Sequence, residues 1–175
     1  MKRPEPTEYA PFYANYISKV PGTDILGVLE GERERMLQLF QGRSERHGDF
    51  RYAPEKWTVK EVLGHIIDTE RIFTYRALRI ARGDKTPLPG FEQDDYIRDG
   101  AFGERKLAEL TDEFEAVRRA SIALFRSFPE AAWDRRGVAS EREVTVRAMA
   151  FITPGHQMHH RVILEERYFP LISRA

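Results

Sequence analysis

The stretch from residue 104 to residue 128 constrains the fold of this chain more than any other. This stretch contains no proline or glycine, and Pro129 ends it. Its apolar positions follow one another at alternating spacings of three and four, which places them on one face of an α-helix. They are Leu107, Leu110, Phe114, Val117, Leu124 and Phe128, with Ser121 in the same series. A helix with one long apolar face requires packing partners along that face.

Three further segments show the same helical period, and turn or capping residues bound each of them. Asp24 is placed to cap the first, while Thr58 and Glu61 form a capping box at the start of the second. No segment shows the strict alternation of a half-buried strand. We therefore predict an all-α four-helix bundle, with helices at about 24–41, 57–82, 104–128 and 143–168.

Two further features constrain the path of the chain. Residues 84–103 form a long connection rich in proline and glycine, which predicts a crossover over one end or face of the bundle. Pro154-Gly155 lies inside the fourth helix, where a proline removes a backbone hydrogen bond and predicts an interruption with a kink. We expect the loop between the third and fourth helices to extend to about residue 141.

Residues 1–22 are predicted to form an arm rather than a helix of the bundle. Prolines break regular structure there, and the aromatic side chains between them are too many for a free tail. We expect the arm to pack on the bundle or on a second subunit, which makes a homodimer the expected assembly. The whole chain, residues 1–175, has the length of one domain with its own core.

Composition excludes several classes of protein. The chain has no cysteine, so disulfides, thiolate metal sites and a cysteine nucleophile are excluded. Its formal net charge is zero, which argues against sequence-independent binding of nucleic acid. Residues 1–6 lack the apolar run of a signal peptide, and no apolar stretch has the length of a membrane span. We expect a cytoplasmic protein with no nucleic-acid or membrane partner.

Histidines are concentrated near the end of the chain. His156 and His160 are four residues apart, so on a helix both side chains project from the same face. That face is otherwise apolar, where each imidazole nitrogen needs a partner. The pair can hold one divalent metal; the alternative is a pair of core histidines hydrogen-bonded to the backbone or to Glu70. His159 projects to the side and is expected at the rim.

A catalytic metal site usually has three protein ligands and an open position. The candidate third ligand is His65, on the inward edge of the second helix, from which it can reach a neighbouring helix of the bundle. Three imidazoles would suit Zn, Ni, Fe or Mn. Taken alone, His65 is better explained as an ordinary half-buried histidine.

Other polar residues have two interpretations each. Glu70 lies within the apolar stripe of the second helix, either as an acceptor behind a metal ligand or in an ion pair with an arginine of the fourth helix (Arg147, Arg161 or Arg167). Asp94 and Asp95 are either loop surface or a base delivered to the mouth of the site. His47 and Asp68 are expected in solvent. Arg71, Tyr75, Arg79 and Tyr96 are candidates for orienting a small anionic substrate.

Four stretches resemble the motifs of the DinB-like superfamily, also called DinB/YfiT-like. They lie in the arm, at the start of the second helix, in the crossover and in the last helix, at residues 3–16, 57–71, 83–96 and 155–168. Each stretch alone is a weak signal, whereas the combination is specific and covers nearly the whole chain. Pro154 departs from the pattern, because a residue more compatible with a helix is usual there.

The resemblance implies a four-helix bundle with a long crossover between helices two and three. It also implies a metal held by one histidine of helix two and two of helix four, which are His65, His156 and His160 here. Members of the superfamily often form dimers, and some are transferases or isomerases that use bacillithiol, mycothiol or glutathione.

Two functions of different kinds follow. In the first, a divalent metal activates water or a thiol cosubstrate, and the chain is a thiol-dependent transferase or a related hydrolase acting on a small molecule. In the second, the chain is a non-catalytic, metal-stabilised bundle that binds a small molecule or a protein in a stress response, or its site is vestigial.

Overall fold

The computed structural model describes residues 1–172. Four long helices form the body: α2 (Ile25–Phe40), α4 (Val59–Ala81), α6 (Leu107–Arg126) and α7 (Val146–Ile163). Four shorter helices are α1 (Ala14–Lys19), α3 (Glu45–Gly48), α5 (Gln93–Asp99) and α8 (Phe169–Ile172). The predicted four-helix bundle is confirmed, and each long helix lies within a few residues of its predicted range.

Two of the predicted helix starts are capped by the side chains that the sequence indicates. Thr58 accepts a hydrogen bond from the backbone N–H of Glu61 at 3.1 Å, and the Glu61 carboxylate accepts one from the Thr58 N–H at 2.6 Å. Asp24 accepts a bond from the N–H of Gly27 at 3.1 Å. These contacts satisfy donors that the first turn of a helix leaves free.

The bundle order places the two histidine-bearing helices side by side. Helix α4 packs against α6 and α7, and α2 packs against the same two helices. The order around the bundle is therefore α2, α6, α4, α7. Side chains on the facing surfaces of α4 and α7 can meet directly, which is the arrangement that a shared metal site requires.

The apolar core has two halves with a polar layer between them. One half contains the arm, the N-terminal part of α7 and the C-terminal parts of α4 and α6; the other contains the opposite halves of these helices and the crossover. Each long helix contributes one buried polar side chain at the boundary: Glu32, Glu70, Arg118 and Gln157. The layer lies at the level of the histidines, because Gln157 follows His156 directly.

The predicted arm packs against its own bundle. It contains two short 3-10 turns (Pro6–Glu8 and Pro11–Tyr13) followed by α1, which lies against α7. The carboxylate of Glu8 binds Arg147 at 3.0 Å and accepts a bond from the Thr145 hydroxyl at 2.7 Å. Arg3 donates to the carbonyl oxygen of Val20 at 2.8 Å, which ties the two ends of the arm together.

The expectation of a loop to residue 141 is wrong. Strands β1 (Arg136–Ala139) and β2 (Arg142–Thr145) form an antiparallel hairpin that leads directly into α7. Its two turn residues, Ser140 and Glu141, have φ values of 51° and 63°. Such turns usually carry Asn-Gly or Asp-Gly, so the sequence gives no turn signal here.

The crossover is more ordered than a plain connection. It contains α5, a β-bridge from Leu88 to Ala139 of the hairpin, and a 3-10 turn at Phe102–Glu104. Phe102 lies flat against α4, where a Cβ on Gly64 would come within 2.3 Å of its ring. Gly64 therefore allows the end of the crossover to lie against the helix that carries His65.

The predicted interruption at Pro154-Gly155 is also wrong, because α7 continues through both residues. Helical backbone continues beyond Ile163 as a π-helical segment, Leu164–Tyr168, and then as α8. Gly155 has a packing role: a Cβ there would lie 2.2 Å from the carbonyl oxygen of Tyr16. The position lets the arm approach the α7 backbone beside the histidines. Within residues 1–172, no helix is both long and apolar enough to cross a bilayer.

Candidate metal centre

The three predicted ligand residues meet at one point between α4 and α7. The Nε2 atoms of His65 and His156 are 3.0 Å apart, and those of His160 and His156 are 3.1 Å apart. One ligand nitrogen from each ring lies within 4.8 Å of the other two. Among the described residues, no carboxylate belongs to this cluster.

Aromatic side chains pack around the three imidazoles. The ring centres of Trp57 and His65 are 5.0 Å apart. Tyr16 of the arm meets the His156 ring edge-on, with 5.3 Å between the ring centres. The side chains of His65 and His156 are 5% and 4% exposed, whereas His160 is partly exposed. The cluster is therefore closed by rings on two sides and reaches solvent near His160.

Burial keeps all three rings neutral at physiological pH. It lowers the pKa of His65 from 6.5 to about 4. Burial, together with the neighbouring His65 and His159, lowers the pKa of His160 to about 3, and the pKa of His156 falls well below its usual value for the same kind of reason. A neutral imidazole has a free lone pair, which is the form that binds a metal.

The donor set fits a cation better than it fits hydrogen bonds among the rings. Nε2 of His156 lies about equally close to two other Nε2 atoms, yet a neutral imidazole nitrogen has one lone pair or one proton. It can form one good hydrogen bond in that arrangement. A cation accepts one lone pair from each ring, and two nitrogens bound to a tetrahedral Zn²⁺ lie about 3.4 Å apart. The observed spacings are close to that distance.

The far nitrogen of His65 has a protein contact. Its Nδ1 lies 3.4 Å from the hydroxyl of Thr69, one turn further along α4. If Nε2 bound a metal, Nδ1 would carry the proton and donate a hydrogen bond to this hydroxyl, which would favour the tautomer that leaves Nε2 free.

Two cavities open beside the cluster. The first, of about 340 Å³, includes His160, Trp57, Tyr168 and Asp94 in its wall. The second, of about 300 Å³, includes His65, His156 and the arm residue Tyr16. The crossover thus brings Asp94 to a cavity that His160 also lines, as one of the two interpretations of that residue expected. Its neighbour Asp95 instead pairs with Arg98 at 2.6 Å.

The ion-pair partner of Glu70 is not one of the three fourth-helix arginines that the sequence suggested. Its two carboxylate oxygens each accept a hydrogen bond of 2.8 Å from Arg118 of α6, a fully buried side chain. Arg118 also donates to the carbonyl oxygen of Leu29 and reaches Gln157 at 3.4 Å. Glu70 therefore belongs to the polar layer and is not in contact with a histidine.

The polar layer continues on the side of α2. Gln157 donates to Glu32 at 3.2 Å, and Arg161 donates to the same Glu32 oxygen at 3.0 Å. Sequence reasoning missed Arg118 and Glu32. A signal exists, since both are charged residues inside the apolar stripes of α6 and α2, but only the structure identifies their partners.

Several other candidates lie away from the cluster. His47 caps its own short helix, accepting a bond from the Ser44 N–H at 3.1 Å. His159 lies at the rim, as predicted, with its ring tilted against Tyr16 and edge-on to the ring of His160. Arg71 pairs with Glu113 at 2.6 Å, Arg79 binds Asp84 and Tyr75, and Tyr96 is exposed against Phe91. None of these four substrate-orienting candidates lines either cavity beside the histidines.

The family model of the DinB superfamily matches residues 29–164, which is most of the chain and includes all three histidines. This chain belongs to the DinB superfamily. The match starts after the first turn of α2 and ends just after α7, so the DinB region contains α4, α6, α7 and most of α2, while the arm precedes it.

Two solved structures are similar to this chain in fold. The first is YfiT from Bacillus subtilis, described as a probable metal-dependent hydrolase with an unusual four-helix bundle topology; it is 16% identical, with a TM-score of 0.76 and 94% of each chain covered. The second is a mycothiol-dependent maleylpyruvate isomerase, 13% identical, with a TM-score of 0.66. That comparison covers 83% of this chain and 61% of the isomerase. A sequence comparison with curated proteins finds no match.

Proposed function

We propose that this chain is a divalent-metal-dependent enzyme that acts on a small molecule, either as a thiol-dependent transferase or as a hydrolase. His65, His156 and His160 would hold the metal, which is Zn, Ni, Fe or Mn. The observation that carries the proposal is the convergence of three neutral imidazoles, two buried and one partly exposed, beside two open cavities. A structural site would have a fourth protein ligand, whereas the described residues offer three.

A bound divalent metal supplies one chemistry here, the lowering of the pKa of a bound water or thiol. The protein residues supply the rest. Trp57 and Tyr16 cover the imidazoles and exclude bulk water, and Thr69 holds the tautomer of His65. Asp94, on the wall of the cavity that His160 also lines, would accept a proton from an incoming nucleophile.

The descriptions of the two similar structures support the proposal without deciding between its versions. One is a probable metal-dependent hydrolase and the other an isomerase that depends on a thiol. A low-molecular-weight thiol is therefore the proposed cosubstrate of the transferase version. The predicted homodimer and the role in a stress response stay predictions, and the arm contacts its own bundle.

The metal content of the purified protein tests whether the three histidines bind a metal. Protein purified without a nickel column should contain about one transition-metal ion per chain by elemental analysis, and His65→Ala should weaken metal binding by more than about 100-fold. His159→Ala is the matched control, since this neighbouring histidine lies outside the cluster, and it should bind metal as the wild type does. Equal metal affinity in wild type and His65→Ala would refute the site.

Activity assays test whether the metal-loaded protein is an enzyme. The metal-loaded protein is assayed with mycothiol, bacillithiol and glutathione against monochlorobimane as electrophile, and separately with p-nitrophenyl acetate for hydrolysis. We expect turnover in one assay, which His156→Ala abolishes and His159→Ala retains. Metal binding without turnover in either assay would favour the non-catalytic bundle.

A further inference from the structure

Arg76 differs from the other buried cationic side chains in the described part of the chain. Lys60, Arg118 and Arg147 each pair with a carboxylate at 2.7–3.0 Å. Arg76 is just as buried, with 2% of its surface exposed. Among residues 1–172 its hydrogen-bond partners are neutral groups: the carbonyl oxygen of Pro89 at 2.7 Å, the Ser140 hydroxyl at 3.0 Å and the phenol of Tyr13.

A buried charge without a counter-charge is costly. The neighbours of Arg76 hold its guanidinium in place without neutralising it. Its guanidinium carbon lies 6.0 Å from the centre of the Phe91 ring, and the chain enters the hairpin turn at Ser140 beside it. Glu92 also lines this cavity, but its side chain is exposed and does not pair with Arg76. The site is therefore a fixed cation for which residues 1–172 provide no paired carboxylate.

Arg76 faces the cavity of about 300 Å³ that His65 and His156 also line. It follows His65 by eleven residues, about three helical turns, so both side chains lie on the same face of α4, roughly 16 Å apart along the axis. Helical side chains tilt toward the N-terminus, so Arg76 extends back toward the histidines. Thr69 and Phe73 occupy the face between them.

Aromatic rings form much of the remaining wall. Tyr13 and Tyr16 come from the arm, Phe73 from α4 and Phe91 from the crossover. The volume is at the lower end of the range for small-molecule sites. A cation at one end, imidazoles at the other and rings between them suit a small ligand with an apolar, flat body and one anionic group.

We propose that Arg76 binds the anionic group, carboxylate or phosphoryl, of a small organic anion with an aromatic or otherwise flat apolar body. The placement of that ligand's other end at His65 and His156 rests on the proposed function. The anion site itself depends only on Arg76 and the cavity wall.

Ligand binding tests the proposal on the full chain, as purified and after removal of metal with a chelator. The probes are benzoate, phenyl phosphate and the neutral analogue benzamide, titrated by calorimetry. We expect at least one of the two anions to bind about tenfold or more tightly than benzamide, because a charge-assisted, desolvated pair contributes that much. Arg76→Gln should remove the preference, and Arg76→Lys should keep part of it.

Arg82→Gln is the matched control. It removes one positive charge from the residue that follows α4, where the side chain is exposed and lies over Phe128, outside the cavity. This variant should keep the preference for anions. Equal binding of all three probes by the wild type, or an unchanged preference in Arg76→Gln, would overturn the proposal.

A second measurement covers the case in which Arg76→Gln does not fold. Crystals of the wild type grown with 4-bromobenzoate should place the bromine signal in this cavity with the carboxylate at Arg76; a bromine elsewhere would refute the site. Anion binding that survives chelation supports Arg76 even if the metal proposal fails. Conversely, metal-dependent turnover without an anion preference retains the proposed function and rejects this site.

Discussion

At the scale of single residues, Gly155 shows how closely the arm approaches the histidine site. The backbone carbonyl of Tyr16 occupies the space that a Cβ on residue 155 would need, and the ring of the same tyrosine covers His156. Pro154 precedes it without breaking the helix. Gly155 is therefore explained by packing of the arm.

Gly155→Ala should destabilise the protein, although alanine is the better helix former by about 1 kcal/mol. A backbone atom at 2.2 Å cannot move without shifting the arm, so we expect a loss of about 1–3 kcal/mol in urea unfolding. Gly31→Ala in α2 is the matched control, because a Cβ there meets nothing within 4 Å, and it should be neutral or stabilising. Equal effects of the two substitutions would contradict this account.

The residues of the site could be predicted to different degrees from the sequence. The spacing of His156 and His160 and the inward position of His65 indicate the cluster, and the resemblance to the DinB-like motifs selects these three residues together. Arg118 and Arg76 were not found, because their importance depends on partners 48 and 64 positions away. Periodicity identifies a buried face, but it does not tell which buried charge lacks a counter-charge.

At the scale of elements, the arm is held by one buried ion pair. Glu8 contacts Arg147 and Thr145 at the start of α7, and both carboxylate oxygens are used. Burial alone would raise the pKa of Glu8, but hydrogen bonds from Arg147, the Glu5 backbone and Thr145 outweigh it and hold the pKa below 4.5. Docking of the arm should therefore depend on pH.

Glu8→Gln tests that dependence. A carboxyl whose pKa is lowered by folding stabilises the native state fully above its unfolded pKa, and this stabilisation is lost as pH falls through the folded value. At pH 7 we expect Glu8→Gln to cost about 1.5–3 kcal/mol. The difference from wild type should shrink below about pH 4.5 in urea unfolding measured across pH. Glu5→Gln, an exposed neighbour, should show no such trend; a difference that stays constant with pH would count against the ion pair.

The helices whose apolar residues recur with a clear helical period were predictable from the sequence. The elements that depend on tertiary contacts were not. The long helices have apolar stripes and caps that work locally, as Thr58 and Glu61 show. The hairpin has four-residue strands and a turn without glycine, so its formation depends on the β-bridge to Leu88 and on packing against α4. Helix α5 is likewise short and packs against α4.

At the scale of the whole molecule, the polar layer divides the bundle into two apolar halves. The Arg118–Glu70 pair is its centre, fully buried and bidentate. Buried ion pairs are often no better than apolar replacements, but removal of one partner leaves an unpaired charge in the core. The layer should therefore tolerate the loss of both partners better than the loss of one.

Arg118→Met should reduce the free energy of unfolding by about 3–5 kcal/mol. The double variant Arg118→Met/Glu70→Leu should be more stable than Arg118→Met alone, because no buried carboxylate remains unpaired. Urea unfolding of wild type, both single variants and the double variant completes the cycle. Additive losses in the double variant would show that the two side chains do not act as a pair.

The docking of the arm also has a consequence for how the chain folds while it is being synthesised. Glu8 emerges from the ribosome 139 residues before Arg147, its partner, and Tyr16 long before Gly155. Until α7 has been synthesised, the side of the arm that packs on α7 and the surface of α4 that faces α7 have no cover. The enclosure of the histidines is thus completed only once α7 is present, and until then the nascent chain has to avoid association with other chains.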